Sequence, residues 1–191
     1  MLGTLPKTLS VNGKIYNIRT DFRDILTVIS AFNDADLTDQ EKVYVCLKRI
    51  FIDMPAIPHD DYQAAYESAS KFIECQPHND RPSPRVVNWV KDEQLIFPAI
   101  NKAAGMEVRA VPYMHWWTFL GYFQSIDREG TYGFILSLRQ KKAKGKKLEP
   151  YEKEFYTANR NLCAVDIRKI SKTPEDTAMR IYEELMREGG R

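Results

Sequence analysis

Two short clusters of polar residues have the side chains that metal or acid–base chemistry requires. His59 directly precedes Asp60 and Asp61, which would suit a metal-dependent phosphohydrolase, and Cys75 lies three positions before His78, which resembles half of a zinc site. A phosphohydrolase needs further His and Asp ligands, and a structural zinc needs four converging ligands. The chain has only three histidines and three cysteines, widely spaced. We therefore expect no metal site and interpret Asp60 or Asp61 as a helix cap.

The sequence contains no motif of a common enzyme class. Its nine glycines are scattered, so neither a glycine-rich phosphate loop nor a G-x-S-x-G nucleophile elbow is present. His115 has no nucleophile next to it and no motif that would place one there, so we interpret it as a packed or exposed histidine rather than a base. These observations predict a protein that is not an enzyme, with no catalytic residue and no cofactor.

A basic run at residues 139–147 is the most concentrated charge in the chain. It has six positive side chains and no negative one, whereas the rest of the chain keeps 22 of the 28 basic residues against all 26 acidic ones. Three interpretations remain open: a solvated loop between helices, a site for an acidic protein partner, and a nucleic-acid site. The third would usually add interleaved aromatic residues, which the run lacks. The candidate partner-binding residues are Arg139, Lys141, Lys142, Lys144, Lys146 and Lys147.

The densest apolar segment, residues 113–123, is rich in aromatic residues. If it is helical, one broad face consists of Tyr113, Trp116, Trp117, Leu120 and Phe123, whereas Phe119 and Tyr122 lie off that face. Aromatic stripes at helical spacing usually pack in a core. We therefore predict that Trp116, Leu120 and Phe123 are buried, with Ile135 and Leu138 nearby.

This segment contains more aromatic residues than one buried helix face can hold. Trp and Tyr side chains are preferred anchors at protein interfaces. The surplus members, Trp117, Phe119 and Tyr122, are therefore candidate partner-binding residues, and core packing is the alternative for each.

The elements that must position these residues are mainly helical. Alternating residues around Asn12-Gly13 predict a hairpin of residues 8–11 and 14–18, because a type I′ turn needs positive φ at both central positions. Thr38 and Glu41 match a capping box. Helical spacing and caps predict helices at residues 22–32, 38–51, 62–74, 86–104, 112–126, 131–142, 150–161 and 173–188. The fold class is mainly α, a multi-helix domain with a short N-terminal β-hairpin.

Length and composition favour one domain. The chain has 191 residues and 43% hydrophobic residues with a net charge of +2, which suits a single buried core. We treat residues 1–191 as one domain, with a weak boundary at 76–84, where three prolines occur. The sequence contains no apolar run of about 18 residues, so we expect no transmembrane helix. The N-terminus does not resemble a signal peptide.

Several strings together resemble the gene-product-fifteen family of long-tailed bacteriophages and prophages. The resemblance covers residues 5–161 and takes in Trp89 and residues 92–100. Its most specific strings are His115-Trp116-Trp117-Thr118-Phe119, residues 131–139, Gly145-Lys146-Lys147-Leu148-Glu149 and residues 152–159. The predicted last helix lies outside it.

This resemblance implies a part in virion morphogenesis. Such proteins are encoded beside the tape-measure protein and are taken to be tail-assembly chaperones, which cover the tape measure and are shed as the tail-tube protein polymerises. The implied partners are the tape-measure protein, the tail-tube protein and further copies of this chain. The implied location is the host cytoplasm. We expect no membrane association, and nucleic acid is the least favoured partner because the basic run lacks interleaved aromatic residues. The family supplies no catalytic residues.

Two other functions are alternatives to the chaperone. The first is a permanent structural component of the tail. The second is an accessory protein that binds nucleic acid through residues 139–147, which salt-dependent retention of DNA would indicate.

Overall fold

The structure is a computed structural model that describes residues 3–75 and 86–164. The described residues are mainly helical and begin with a two-stranded antiparallel hairpin, so the predicted fold class is confirmed. They form two compact units, one of residues 3–75 with Tyr113–Trp117 and the other of residues 86–112 with 118–164. The prediction that residues 1–191 form one domain stays a prediction.

The first unit begins with the hairpin of β1 (Thr8–Val11) and β2 (Lys14–Asn17). Ser10 pairs with Ile15, and Val11 pairs with Lys14 across the turn. Asn12 and Gly13 have φ values of 46° and 83°, which confirms the predicted type I′ geometry.

Three helices complete the described part of the first unit: α1 (Phe22–Asn33), α2 (Asp39–Ile50) and α3 (Tyr62–Glu74). Two short 3-10 turns, Met54–Ala56 and His59–Asp61, lead into α3. The predicted capping box of α2 is confirmed, because Thr38 Oγ1 accepts from the Glu41 backbone N–H and the Glu41 carboxylate accepts from that of Thr38. The core of this unit includes Phe22, Ile25, Leu47, Ile50, Phe51 and Ile57, all 1% exposed or less.

The later segment Tyr113–Trp117 also belongs to the first unit, and its residues before Trp116 are not helical. The Phe22 backbone N–H donates to Met114 O at 3.0 Å, and the Trp116 backbone N–H donates to Thr20 O at 2.7 Å. These bonds oppose a helix through Met114. The helix predicted for 112–126 is therefore shorter, and α5 is Trp116–Gln124.

The second unit contains α4 (Glu93–Ala104), α6 (Thr131–Ala143), α7 (Pro150–Ala158) and α8 (Arg160–Cys163). The predicted start of α4 at residue 86 is wrong. The Asp92 carboxylate accepts from the Asn88 backbone N–H, and the Asn88 side-chain oxygen accepts from that of Lys91. Local side-chain bonds of this kind compete with a helix, so residues 88–92 form a turn.

The predicted helix at 150–161 is interrupted at Asn159. Its side-chain Nδ2 donates to Phe155 O at 3.1 Å, and its φ of −118° is not helical. Asparagine bonds readily to nearby backbone, which disfavours the helix interior. The chain therefore ends α7 at Ala158 and restarts as α8. The predicted boundary at 76–84 and the predicted helix at 173–188 lie outside the described residues.

Candidate partner-binding surfaces

The basic run begins inside α6 and ends in the loop that follows it. Gly145 takes a φ of 66°, and the Lys146 backbone N–H donates to Lys141 O at 2.8 Å, which closes the helix. Positive side chains near a helix C-terminus interact favourably with the negative end of the helix dipole. The local sequence therefore both ends α6 and places cations at that end.

Arg139 is not available to a partner, contrary to the sequence prediction. Its side chain is 1% exposed and forms a two-pronged ion pair with Asp92, which is 2% exposed. Nη2 donates to Asp92 Oδ1 at 2.8 Å, and Nη1 also donates to Val86 O at 2.9 Å. A second bond from Nη2 reaches Leu162 O. Arg139 therefore ties the turn before α4 and the end of α8 to α6.

Tyr132 completes this buried cluster. Its hydroxyl donates to Asp92 Oδ2 at 3.3 Å. Burial raises the pKa of Tyr132 above its ordinary value, and the negative charge of Asp92 adds to the increase. The phenol thus stays protonated and remains a donor.

Lys141 is committed to a structural pair as well. Its Nζ lies 2.6 Å from Glu152 Oε1, and the lysine side chain is 34% exposed whereas the glutamate side chain is 3% exposed. The hydrogen bond from Lys141 holds the pKa of Glu152 below its usual value, and the bond from the Glu149 backbone N–H lowers it further. The same pair raises the pKa of Lys141. This pair joins α6 to the first turn of α7.

The four remaining basic residues form what we call the lysine surface: Lys142, Lys144, Lys146 and Lys147. All four are exposed. No carboxylate in residues 3–75 or 86–164 pairs with any of them. Lys142 Nζ lies 5.1 Å from the centre of the Tyr156 ring, within the range of a cation–π interaction. This is the part of the predicted basic site that a partner can reach.

Both tryptophans of α5 contact the end of α3. Trp116 is 2% exposed, and its indole N–H donates to Ile73 O at 2.8 Å. Trp117 is half-buried, and its indole N–H donates to Phe72 O at 2.9 Å. The last carbonyls of a helix lack partners within it, so the two indoles supply donors for the end of α3. Trp117, predicted as a partner anchor, has this structural contact.

Phe119 is buried at 0% exposure, so the expectation that it lies off the buried face is wrong. Its ring centre lies 6.1 Å from that of Trp89 and 6.1 Å from that of Phe97. Tyr122 is half-buried. Of the residues predicted for the core, Trp116 is buried, whereas Leu120 and Phe123 are half-buried. Ile135 and Leu138 are both fully buried.

The most exposed apolar side chains lie outside residues 113–123, at positions for which the sequence pattern gives no signal. In the first unit the most exposed are Ile15 at 65% and Ile52 at 54%, and in the second unit Val90 and Tyr151, each at 62%. Ile15, Ile52 and Val90 each directly neighbour an aromatic residue in the sequence, and Tyr151 follows a proline, so residue type and periodicity do not single out these positions. Each unit thus offers apolar contacts to a partner, and the second also offers the lysine surface.

His115 is a packed residue that holds backbone in place. Its side chain is almost fully buried. Nδ1 accepts from the Trp117 backbone N–H at 3.0 Å, so Nε2 is the protonated nitrogen and donates to Pro6 O at 2.9 Å. With both ring nitrogens occupied by backbone, the imidazole has no position from which to act as a base.

Of the two polar clusters named in the sequence analysis, the one at residues 59–61 lies wholly within the described residues. His59 stacks on Tyr62 with ring centres 4.7 Å apart. Asp61 is the N-cap residue of α3 but makes no side-chain cap, so the predicted capping role of Asp60 or Asp61 is wrong. Its carboxylate accepts from Asn12 instead. Within residues 3–75 and 86–164, no three His, Cys, Asp or Glu side chains are arranged to hold a metal ion. His78 lies outside these ranges.

None of the helices in the described part of the chain has the length and apolar character needed to span a membrane.

Comparison with known proteins gives one match. A family model described as Bacteriophage Gp15 protein matches residues 1–165, which is most of the chain. No curated protein and no solved structure matches it.

Proposed function

We propose, because the chain belongs to the Bacteriophage Gp15 protein family, that it is a tail-assembly chaperone that binds the tape-measure protein. Family membership indicates, more coarsely, a structural or morphogenesis protein of a phage. In this proposal the chain works without catalysis, in the host cytoplasm, before the tail tube encloses the tape measure. The match over residues 1–165 is the observation on which the proposal rests.

The physical task explains what such a chaperone must offer. A tape measure is a long, helix-rich protein, and its apolar faces would aggregate before a tube covers them. A partner that covers those faces needs exposed apolar contacts. Ile15 and Ile52 in the first unit and Val90 and Tyr151 in the second are suitable candidates, since each is more than half exposed.

The lysine surface suits reversible binding. Exposed ion pairs contribute about 0–1 kcal/mol each, so four lysines can orient a negatively charged segment without fixing it permanently. Several copies on one tape measure gain strength by avidity although each contact is weak. The polymerising tail-tube protein can then displace the copies one at a time. Contact between neighbouring copies along the tape measure belongs to the same proposal.

A binding assay with a matched pair of variants tests this site. The first variant replaces the lysine surface by glutamine at Lys142, Lys144, Lys146 and Lys147. The control replaces four exposed lysines of the first unit, Lys7, Lys14, Lys48 and Lys71, and so removes the same charge. Each tagged chain is co-expressed with the tape-measure protein encoded beside it, and the retained tape measure is quantified at low and high salt.

We expect the wild type and the control variant to retain the tape measure at low salt and to release much of it at high salt, because salt screens exposed charges. The lysine-surface variant should retain much less at low salt. Equal retention by all three chains at both salt concentrations would contradict the assignment of the lysine surface.

The composition of purified virions separates the chaperone from a permanent tail component. A chaperone is shed, so the chain should be present in infected or induced cells and absent from mature particles. Stoichiometric amounts in the particles would instead favour the structural alternative, which the family assignment also allows.

A further inference from the structure

The hairpin turn contains a dipeptide with its own chemistry. Asn12-Gly13 is the single Asn-Gly pair in the chain. Both residues are exposed, and Gly13 presents no side chain and has no atom within 4 Å of the position a Cβ would take. No side chain on Gly13 therefore hinders the approach of the Asn12 side chain to the Gly13 backbone nitrogen.

The side chain of Asn12 is held by a carboxylate from a distant part of the chain. Its Nδ2 donates to Asp61 Oδ1 at 2.6 Å across 49 positions of sequence. Asp61 is half-buried and stands at the start of α3. We infer that Asn12 is a site of spontaneous deamidation whose rate Asp61 restrains and whose product Asp61 repels.

The reaction balances without an oxidant or a catalyst. The Gly13 backbone nitrogen loses its proton and attacks Asn12 Cγ, and the new N–C bond forms as the C–NH₂ bond breaks and ammonia leaves. Water then opens the resulting succinimide ring at either carbonyl. Opening at the main-chain carbonyl gives an isoaspartyl linkage, whereas opening at the side-chain carbonyl gives an ordinary aspartate in place of the asparagine. One water is consumed and one ammonia is released.

Asp61 opposes this reaction in two ways. Its hydrogen bond holds the amide nitrogen that must leave, and a charge-assisted bond is stronger than a neutral one. After the reaction, the new carboxylate at position 12 lies next to the carboxylate of Asp61, and two carboxylates so close repel each other. An isoaspartyl linkage also lengthens the backbone of a turn whose two central residues are already fixed at positive φ. Conversion should therefore loosen the hairpin from the start of α3.

The rate is measured by peptide mapping and mass spectrometry of the full chain held in mildly alkaline buffer. We expect Asn12 to convert before the other asparagines. In Asp61→Ala the rate should rise by about three- to tenfold, the change expected on losing a hydrogen bond of ordinary net strength, because this bond is exposed to solvent. Asp60→Ala is the matched control, since it removes a neighbouring carboxylate that makes no contact with Asn12, and it should match the wild type. In concentrated urea all three chains should convert at one rate.

Equal rates in folded Asp61→Ala and Asp60→Ala would overturn the inference, as would faster conversion of another asparagine in the wild type. An increase in rate for Asp61→Ala that persists in urea would also overturn it, because the effect would then be local to the sequence.

A second pair of variants tests the repulsion independently of the rate. Asn12→Asp should lower the thermal midpoint when Asp61 is present and lower it much less in an Asp61→Asn background. An equal decrease in both backgrounds would contradict the assigned contact.

Discussion

Arg139 and Lys142 are three positions apart in one basic run, but they have opposite environments. The arginine side chain is 1% exposed and is paired with Asp92, whereas the lysine is exposed at the end of α6. Arginine suits the buried position because its two terminal nitrogens can satisfy a carboxylate with two parallel bonds and also donate to the backbone carbonyls of Val86 and Leu162. Charge counting along a sequence treats the two residues alike, although one stabilises the fold and the other faces solvent.

Replacing Arg139 by glutamine should destabilise the protein by about 3–5 kcal/mol, because it leaves the Asp92 carboxylate buried without its cation. Lys142→Gln removes the same charge from an exposed position and should change stability by about 1 kcal/mol or less. Urea denaturation of the two variants measures both. A stability loss for Arg139→Gln as small as that for Lys142→Gln would show that the buried pair is not formed.

The pair of Lys141 and Glu152 gives a pH dependence with a defined sign. The folded-state pKa of Glu152 is lowered from 4.5, so its contribution to stability is present above pH 4.5 and is lost as pH falls through the lower folded value. The pKa of Lys141 is raised from 10.5, so its contribution is lost only as pH rises through that higher value.

Glu152→Gln should therefore be less stable than the wild type near neutral pH and should approach the stability of the wild type in acid. The glutamine can still accept from the Glu149 backbone N–H, as in a capping box, but it lacks the charge that pairs with Lys141. The measurement is the difference in unfolding free energy between the two proteins across pH. A difference that stays constant from neutral pH into acid would contradict the lowered pKa of Glu152.

Secondary-structure elements differ in how far local sequence determines them. The hairpin, the capping box of α2 and the span of α3 all follow from signals within a few residues, and the structure confirms them. The start of α5 does not follow from local signals, because backbone hydrogen bonds with Thr20 and Phe22, more than 90 positions earlier, determine it.

The candidate site shows the same division. The exposure of the four lysines at the end of α6 and just after it could be predicted from sequence, because four adjacent or near-adjacent charges cannot all be buried. The burial of Arg139 could not, because its partner Asp92 is 47 positions away. Phe119 was similarly misplaced, because helical periodicity ranks faces by residue type but does not reveal that Trp89 and Phe97 pack around it.

The packing of α6 requires glycine at position 133, and the sequence pattern does not indicate this requirement. A Cβ at this position would lie 2.2 Å from Asp127 O and 2.6 Å from Arg128 Cα, both of them backbone atoms. The turn before α6 thus packs directly against the helix backbone. Only glycine permits that approach.

Gly133→Ala should consequently destabilise the protein by about 1–3 kcal/mol, the usual cost of forcing atoms into a packed site. Gly121, in α5, has no atom within 4 Å of its Cβ position, so Gly121→Ala should stabilise by up to about 1 kcal/mol through helix propensity. Thermal denaturation of both variants provides the comparison. Equal effects would mean that the turn does not approach α6 as described.

At the scale of the whole molecule, charge is distributed unevenly. The net charge of +2 arises because the basic run adds six positive charges to a remainder with 22 basic and 26 acidic residues. Two of the six charges are used in structural pairs, and the other four form the lysine surface. A localised positive surface on a chain whose remainder is mildly acidic can orient a negatively charged partner as it approaches. That arrangement would help a chaperone engage one face of a long target repeatedly.

The proposed chaperone would keep the tape-measure protein soluble until the tail tube encloses it. The most direct measurement is the soluble fraction of the tape-measure protein expressed alone, with the wild-type chain, and with the lysine-surface variant. We expect the tape-measure protein to precipitate when expressed alone, to stay soluble with the wild-type chain, and to precipitate for the most part with the variant. A tape-measure protein that is equally insoluble with and without the wild-type chain, together with mature virions that contain the chain, would contradict the chaperone function.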